Sequence, residues 1–408
     1  MSRPSGPYLF ILLTLLIDAI GIGIVFPIMP DLMAKVGAEG MGTAALWAGL
    51  LMAAYAGAQF VFAPIIGSVS DAFGRKPVLI AALAFLTLDY VIMALAETYW
   101  LLLVGRTLAG IAGATYVTAT AYIADITPKT ERAARFGMVG AAFGIGFVLG
   151  PALGGIAATW GVTAPFWVAA AISGANVIFG LLVLPESLTP ANRRPFGMRD
   201  LNPFATIVLA FRMPGLAVPL LAMLLFEFAN MVYPTLWAFW GREVFGWSTL
   251  VIGISLSVYG ILVAVAQAAV MPAAVRLLGE RRLTIWGLVV AILAMVGLGL
   301  TSAVWTLVIL IPLAALSDLV PPTLSAIAAN GARDDQQGMV QGVLSSLAAI
   351  AAVAAPLVFT AVFGLFTRAG APVHFPGAPF LLGAVVLVAI LPLVFRQPRA
   401  PQSHAGTR

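Results

Sequence analysis

Five ionisable residues, Asp18, Asp89, Arg106, Glu227 and Asp318, stand inside stretches otherwise built of Ala, Leu, Val, Ile and Gly. Groups of this kind do one of two things in apolar surroundings. Facing each other, they form a buried pair that orients helices. Facing a water-filled chamber, they take up and release protons, because low dielectric favours the neutral carboxyl and a nearby guanidinium biases the balance. One such charge at membrane depth costs roughly 2.5–3.5 kcal/mol on insertion scales, so each requires a partner or water. Competing chemistry is scarce. The chain has no cysteine and only two histidines, His374 and His404, which argues against disulfides, thiol nucleophiles and metal centres and predicts no cofactor. Neither a nucleophile–base pair nor a metal-ligand spacing is visible, so an enzyme is not expected.

The elements that carry these residues follow from composition. Of 408 residues, 62% are hydrophobic and 9% charged, which excludes a soluble enzyme or nucleic-acid-binding fold. At roughly 20 residues per crossing there is room for about twelve spanning helices. Apolar runs lie at 8–30, 46–68, 77–97, 100–123, 136–158 and 163–184, and again at 215–240, 250–275, 283–302, 304–328, 338–366 and 377–396. Between them a basic, proline-punctuated stretch reads as a linker loop. The expected organisation is an N-terminal six-helix half (1–184), a cytoplasmic linker (185–213) and a C-terminal half with a short tail (214–408). The first run is too long for a signal peptide and contains Asp18, so it is expected to remain as a span. With the N-terminus cytoplasmic, 17 Lys and Arg fall on that side, three (Lys35, Arg242, Arg368) on the other, and Arg106 within the membrane. That asymmetry predicts cytoplasmic ends and accounts for the net charge of +5 without a nucleic-acid partner.

The halves repeat each other. Ala58-Gln59 with Pro64 answers to Ala266-Gln267 with Pro272 at an offset of 208 residues; Gly74-Arg75 answers to Gly279-Glu280, and Trp100 to Trp305, at 205. Duplication of this kind places a binding site near the midplane, where the halves meet. The ionisable residues on the first, fourth, seventh and tenth crossings become related by it. Asp18 and Glu227 are near-equivalent, and Asp318 corresponds to Gly113, two turns from Arg106. Asp18, Arg106, Glu227 and Asp318 are therefore expected to converge on one cavity. Asp89, whose counterpart is Ala294, is the acid most expected to be structural.

Between the second and third crossings, Gly67-Ser68-Val69-Ser70-Asp71-Ala72-Phe73-Gly74-Arg75-Lys76-Pro77 reads as a short cytoplasmic loop in which glycine permits a tight turn, Asp71 caps or pairs, and Arg75 reaches Asp125. This segment resembles the signature of the major facilitator superfamily. Leu103-Val104-Gly105-Arg106-Thr107-Leu108-Ala109-Gly110 is similar to that family's fourth-helix Arg motif, and Gly146-Phe147-Val148-Leu149-Gly150-Pro151-Ala152-Leu153-Gly154-Gly155 to the fifth-helix motif of its antiporters, where small residues pack closely and Pro151 bends a helix. Within it the chain resembles the proton-driven tetracycline exporters, through Leu16-Ile17-Asp18-Ala19-Ile20-Gly21-Ile22-Gly23, Asp89, Gly105-Arg106, Gln59, Gln267, Tyr122-Ile123-Ala124-Asp125 and the basic turn that includes Arg135 before Phe136-Gly137.

The resemblance implies a major facilitator fold of twelve helices in a bacterial cytoplasmic membrane, and a monomer driven by the proton gradient without a cofactor. Its implied partners are protons, lipid and a small amphipathic drug. Asp18, Asp89 and Arg106 sit where those exporters carry intramembrane charges; together with Glu227 and Asp318, read from their own placement, they are expected to couple protons. Gly67, Asp71, Gly74, Arg75, Lys76, Asp125, Arg135, Gly150 and Pro151 would govern conformation. Tyr55, Gln59, Tyr116, Phe226, Tyr233, Trp237, Tyr259 and Gln267 would line the drug site, and Trp240 would either join them or sit in the interfacial aromatic belt. Departures bear on the substrate: Ala291 stands where those exporters carry an acid, while Glu227 and Asp318 are additional acids. An altered cavity is implied. Proton-linked metabolite transport, or a receptor or lipid flippase on the same fold, are the alternatives.

Overall fold

A computed structural model describes residues 6–113, 115–128, 130–193, 203–213, 215–333 and 336–395; Arg3, Arg194, Arg199 and His404 lie outside these ranges. Continuous apolar sequence with no aqueous partner for the backbone leaves helix as the solution, and no strand occurs among the described residues. The N-terminal crossings are α1 (Gly6–Lys35), α2 (Gly40–Phe73), α3 (Arg75–Leu95), a fourth divided into α4 (Tyr99–Ala112) and α5 (Thr115–Ile126), α6 (Arg132–Ala157) and α7 (Ala164–Val183). A short helix, α8 (Pro203–Phe211), falls in the segment expected to be loop. The C-terminal crossings begin with α9 (Ala217–Asn230) continued by α10 (Val232–Phe245) and α11 (Thr249–Val265), which runs through a π-helical segment (Ala266–Val270) into α12 (Met271–Leu300). They end with α13 (Leu307–Ser317) continued by α14 (Val320–Asn330), α15 (Gln337–Thr367) and α16 (Ala378–Phe395).

Eleven helical stretches among the described residues are long and apolar enough to cross a membrane. One of these, Thr249–Leu300, has 52 residues and is interrupted at Gly279, whose φ of 73° and ψ of 161° divide it into two crossings. Twelve crossings result. The same device acts in the first half. The supposed loop around Gly74 is not a loop: α2 continues to Phe73, α3 starts at Arg75, and Gly74 alone, at φ 110° and ψ 158°, reverses the chain. Only glycine adopts such a conformation without strain, so one residue suffices. The change of offset between the halves falls between Pro272 and Gly279, within α12.

Close approach of helices rests on glycine. On α6, a methyl group added to Gly146, Gly150 or Gly154 would lie 2.5, 2.6 or 2.7 Å from the carbonyl oxygens of Leu16, Ile20 and Ile24 on α1. The spacing is four residues on both helices, one face of each. Across the same helix, the Ser257 hydroxyl of α11 donates to Val148 O at 2.6 Å and accepts from Ala152 N at 3.1 Å. It thus inserts into the backbone ladder of α6 beside Pro151, two of the recognised causes of a helix bend.

The two ends of the bundle differ. At one, Asp31 of α1 forms a bidentate ion pair with Arg242 of α10 and accepts from Thr249 Oγ1 at 2.5 Å, while Gly42 and Gly49 of α2 pack against Gly364 and Thr360 of α15. At the end that carries Gly74, a methyl group on Gly137, Gly140 or Gly144 of α6, or on Gly338 or Gly342 of α15, would meet nothing within 4 Å. The halves are joined at the Asp31 end and apart at the Gly74 end.

Candidate functional site: a cavity open to one end

Between the halves lies a cavity of about 1090 Å³ that runs from Asp18 and Met29 to Asp71 at the open end. Its polar lining comes chiefly from Asp18, Gln59, Arg106 and Tyr55; its aromatic lining includes Tyr116, Phe143, Phe147 and Phe26. Two ring pairs brace the wall, Tyr116 on Phe143 at 5.7 Å and Phe26 on Phe147 at 5.8 Å. Tyr116 is 43% exposed, which leaves a ring face for a ligand.

The charges are arranged unevenly. Arg106 is paired with Asp89 through both carboxylate oxygens, and its guanidinium sits 5.2 Å from the centre of the Tyr55 ring. Gly105 makes room for the pair, since a methyl group there would come within 3.1 Å of Asp89 Oδ1. Asp89 is 1% exposed and is the partner of Arg106. Asp18 has no hydrogen bond or ion pair among the described residues, and its carboxyl faces the cavity. The chamber thus holds one neutralised cation and one unpaired acid, a lining suited to a proton or a positively charged group at Asp18.

The expected convergence of four groups is corrected. Glu227 and Asp318 do not line the cavity. Asp318 instead accepts from Tyr259 Oη at 2.5 Å and Asn230 Nδ2 at 3.0 Å, in a cluster within the C-terminal half. The argument carried the place of Gly113 over to Asp318 by symmetry; Gly113 does line the cavity with Arg106, but the Asp318 carboxyl turns toward Asn230 on α9 and Tyr259 on α11. Of the expected drug-contacting residues, Tyr55, Gln59 and Tyr116 line the cavity, whereas Phe226, Tyr233, Trp237, Tyr259 and Gln267 do not. Trp237 donates to Ser255 Oγ at 2.8 Å and packs on Trp240, which is fully buried rather than interfacial.

At the open end, Arg75 pairs with Asp71 at 2.6 Å and with Asp125 at 3.2 Å, the latter being the contact expected from the sequence. Lys76 donates from Nζ to Leu181 O at 3.1 Å, and Arg135 stacks over Tyr8 at 4.4 Å while pairing with Glu131. Gly67 and Asp71 line the cavity mouth. Gly150 and Pro151 lie where α6 crosses α1 and α11.

The chain as a whole is similar to known proteins. The family model described as Major Facilitator Superfamily matches residues 11–356 and 243–408. The chain belongs to the major facilitator superfamily. Within this superfamily it is 37% identical to the class C tetracycline resistance protein of Escherichia coli, over 97% of this chain and 98% of that one. It is 34% identical to the class G tetracycline resistance protein of Vibrio anguillarum, over 93% and 95%. Among solved structures, the human organic anion transporter MFSD10 superposes with a TM-score of 0.70 at 25% identity, covering 97% of this chain and all of that one.

Several residues of this superfamily member escaped the sequence reading. Glu186 accepts from the backbone amides of Arg75 and Lys76 at 2.9 and 3.2 Å, capping α3, and Ser187 donates to Asp125 at 3.0 Å. The Asp31–Arg242–Thr249 cluster joins the halves at the sealed end. A signal for it was present: Arg242 is one of three basic residues on that side, and Asp31 directly follows the first apolar run. Phe143 and Phe147 carry no sequence mark distinguishing them from packing residues.

Proposed function

We propose that this protein exports a small amphipathic drug of the tetracycline kind across the bacterial cytoplasmic membrane, as a monomer with both termini in the cytoplasm, exchanging the drug for protons by alternating access. The observation that carries the reading is Asp18: an unpaired carboxyl facing an aromatic-lined cavity of about 1090 Å³, beside an arginine already neutralised by Asp89. The Lys and Arg asymmetry favours a cytoplasmic Gly74 end, so the cavity faces inward. Near full-length similarity to tetracycline resistance proteins supports the cargo.

In this scheme a drug enters from the cytoplasm and places its positive or polar part against ionised Asp18. The halves, expected to be residues 1–184 and 214–408, rock about the α1–α6–α11 crossing. The Gly74 end closes, and the Asp31–Arg242 pair parts. A proton from outside then neutralises Asp18 and weakens its hold on the drug; losing that proton inward resets the carrier. Differential affinity in the two states is what makes the exchange directional.

The test is tetracycline accumulation in everted vesicles or proteoliposomes under an imposed proton gradient. Asp18→Asn is expected to lose at least 100-fold of gradient-driven uptake while eluting as the wild type in size-exclusion chromatography. Gradient-driven transport that survives the substitution would remove Asp18 from the mechanism.

A further inference from the structure

The seventh and tenth crossings are both interrupted in the C-terminal half, α9 ending at Asn230 and α13 at Ser317. Proline removes donors at each interruption. Pro234 has no N–H for the Asn230 carbonyl, and Pro321 and Pro322 have none for the carbonyls of Ser317 and Asp318. Gln267 replaces one of these donors, reaching Asp318 O at 3.4 Å. The carbonyls of Asn230, Ser317 and Asp318 therefore lose their helical donors next to the Asp318 carboxylate.

Oxygens outnumber donors in this cluster. The Asp318 carboxylate is held by Tyr259 and Asn230. Asn230 Oδ1 and the Tyr233 hydroxyl are buried and have no hydrogen-bond partner; Tyr233 is 4% exposed, and its ring stacks on that of Tyr259 at 5.8 Å. Glu227 stands three residues before Asn230 on α9, on the same side of that helix. No Lys or Arg among the described residues pairs with either acid. Orphaned oxygens at membrane depth cost several kcal/mol unless a cation or donor satisfies them. The oxygen-only set suits a hard cation, and interrupted helices whose freed carbonyls and C-terminal ends face a carboxylate are how membrane carriers hold small monovalent ions.

We propose that Glu227, Asn230, Tyr233, Tyr259 and Asp318 form a second, separate ion site that binds a small monovalent metal cation, Na⁺ or Li⁺. The cluster sits behind the cavity wall: Met231 and Pro234, on the same stretch as Asn230 and Tyr233, line the cavity itself. Occupancy would be felt by the drug chamber through that wall. The proposal does not rest on the export reading, because it concerns residues outside the cavity.

Binding of ²²Na⁺ to the purified full-length protein in lipid nanodiscs tests it. Saturable binding is expected, displaced by Li⁺ and not by choline at equal ionic strength. Asp318→Asn and Glu227→Gln should each weaken it at least 10-fold, and Tyr233→Phe, which removes one oxygen from an otherwise intact ring, a few-fold. Absence of saturable ²²Na⁺ binding to the wild type, as would follow if the cluster held protons alone, overturns the proposal. So does undiminished binding in Asp318→Asn, or in Tyr233→Phe should the acid variants fail to fold.

Discussion

The two halves of this transporter share a backbone plan and differ in where they put charge. Gly74 and Gly279 take the same extended positive-φ conformation at equivalent places, 110°/158° and 73°/161°. Gln59 donates to Gly113 O at 2.8 Å where Gln267 donates to Asp318 O at 3.4 Å, the acceptor in each case ending the first segment of a broken helix. Arg75 meets Asp125, and 205 residues later Glu280 meets Asn330 at 3.1 Å. The skeleton of turns and helix breaks has been retained while the side chains it presents have changed. In the N-terminal half the acid facing the cavity is unpaired and the arginine is neutralised. In the C-terminal half Asp318 is held by two neutral donors, Glu227 has no ion pair among the described residues, and the position equivalent to Arg106 is Ile311.

The sharpest way to break this comparison is to give the first half the second half's residues. Asp89 and Arg106 correspond to Ala294 and Ile311. Asp89→Ala alone leaves a buried guanidinium without its partner and is expected to cost roughly 3–5 kcal/mol. Adding Arg106→Ile, so that both groups become apolar as they are in the other half, should recover most of that loss. Thermal unfolding of the purified variants in one detergent measures both. If the double variant is no more stable than the single one, the pair does more for the fold than orient two helices.

How much of this was legible beforehand depended on the range of each interaction. Crossings and the duplicated turns are local or periodic, so hydropathy and a fixed offset revealed them. Arg75 with Asp125 was readable because the turn and the end of the fourth crossing must lie on the same side of the membrane. For Asp31 and Arg242 only the shared side of the membrane was readable; their pairing was not, since 211 residues separate them and hydropathy does not say which helices touch. The placement of Asp318 failed for a different reason: symmetry carries over a backbone position, as it does for Gly113 and Asp318, but glycine has no side chain to show where a carboxyl there would turn, and Asn230 and Tyr259 draw that of Asp318 away from the cavity. Phe226, Tyr233 and Trp237 were assigned to the cavity by residue type, which carries no direction.

A smaller effect is expected where the halves differ by one methyl group. Gly110 packs against Tyr55 O and lies 2.8 Å, by an added methyl, from Ala58 Cβ; its counterpart is Ala315, which is buried at 1% exposure. Gly110→Ala copies the second half into the first. The contact with backbone rather than a flexible side chain leaves α2 no easy relief, so a loss of about 1–3 kcal/mol is expected despite the gain in helix propensity. A stabilised Gly110→Ala variant in thermal unfolding would mean that α2 and α4 are less tightly held than this contact requires.

The smallest effect separates the two turns. Alanine at either Gly74 or Gly279 enters a region of backbone conformation that essentially only glycine occupies, costing about 1–3 kcal/mol at each. The surroundings then differ. A methyl group on Gly279 meets nothing within 4 Å, whereas on Gly74 it collides with the Glu186 carboxylate, 2.9 Å from its central carbon. Glu186 would be pushed off the amides of Arg75 and Lys76, so Gly74→Ala should exceed Gly279→Ala by the value of one helix cap, about 1 kcal/mol. A Glu186→Ala background provides the check: with the cap already gone, the two glycine substitutions should cost the same. If the gap persists there, the extra sensitivity of Gly74 comes from the Asp71–Arg75–Asp125 contacts beside it and not from the cap.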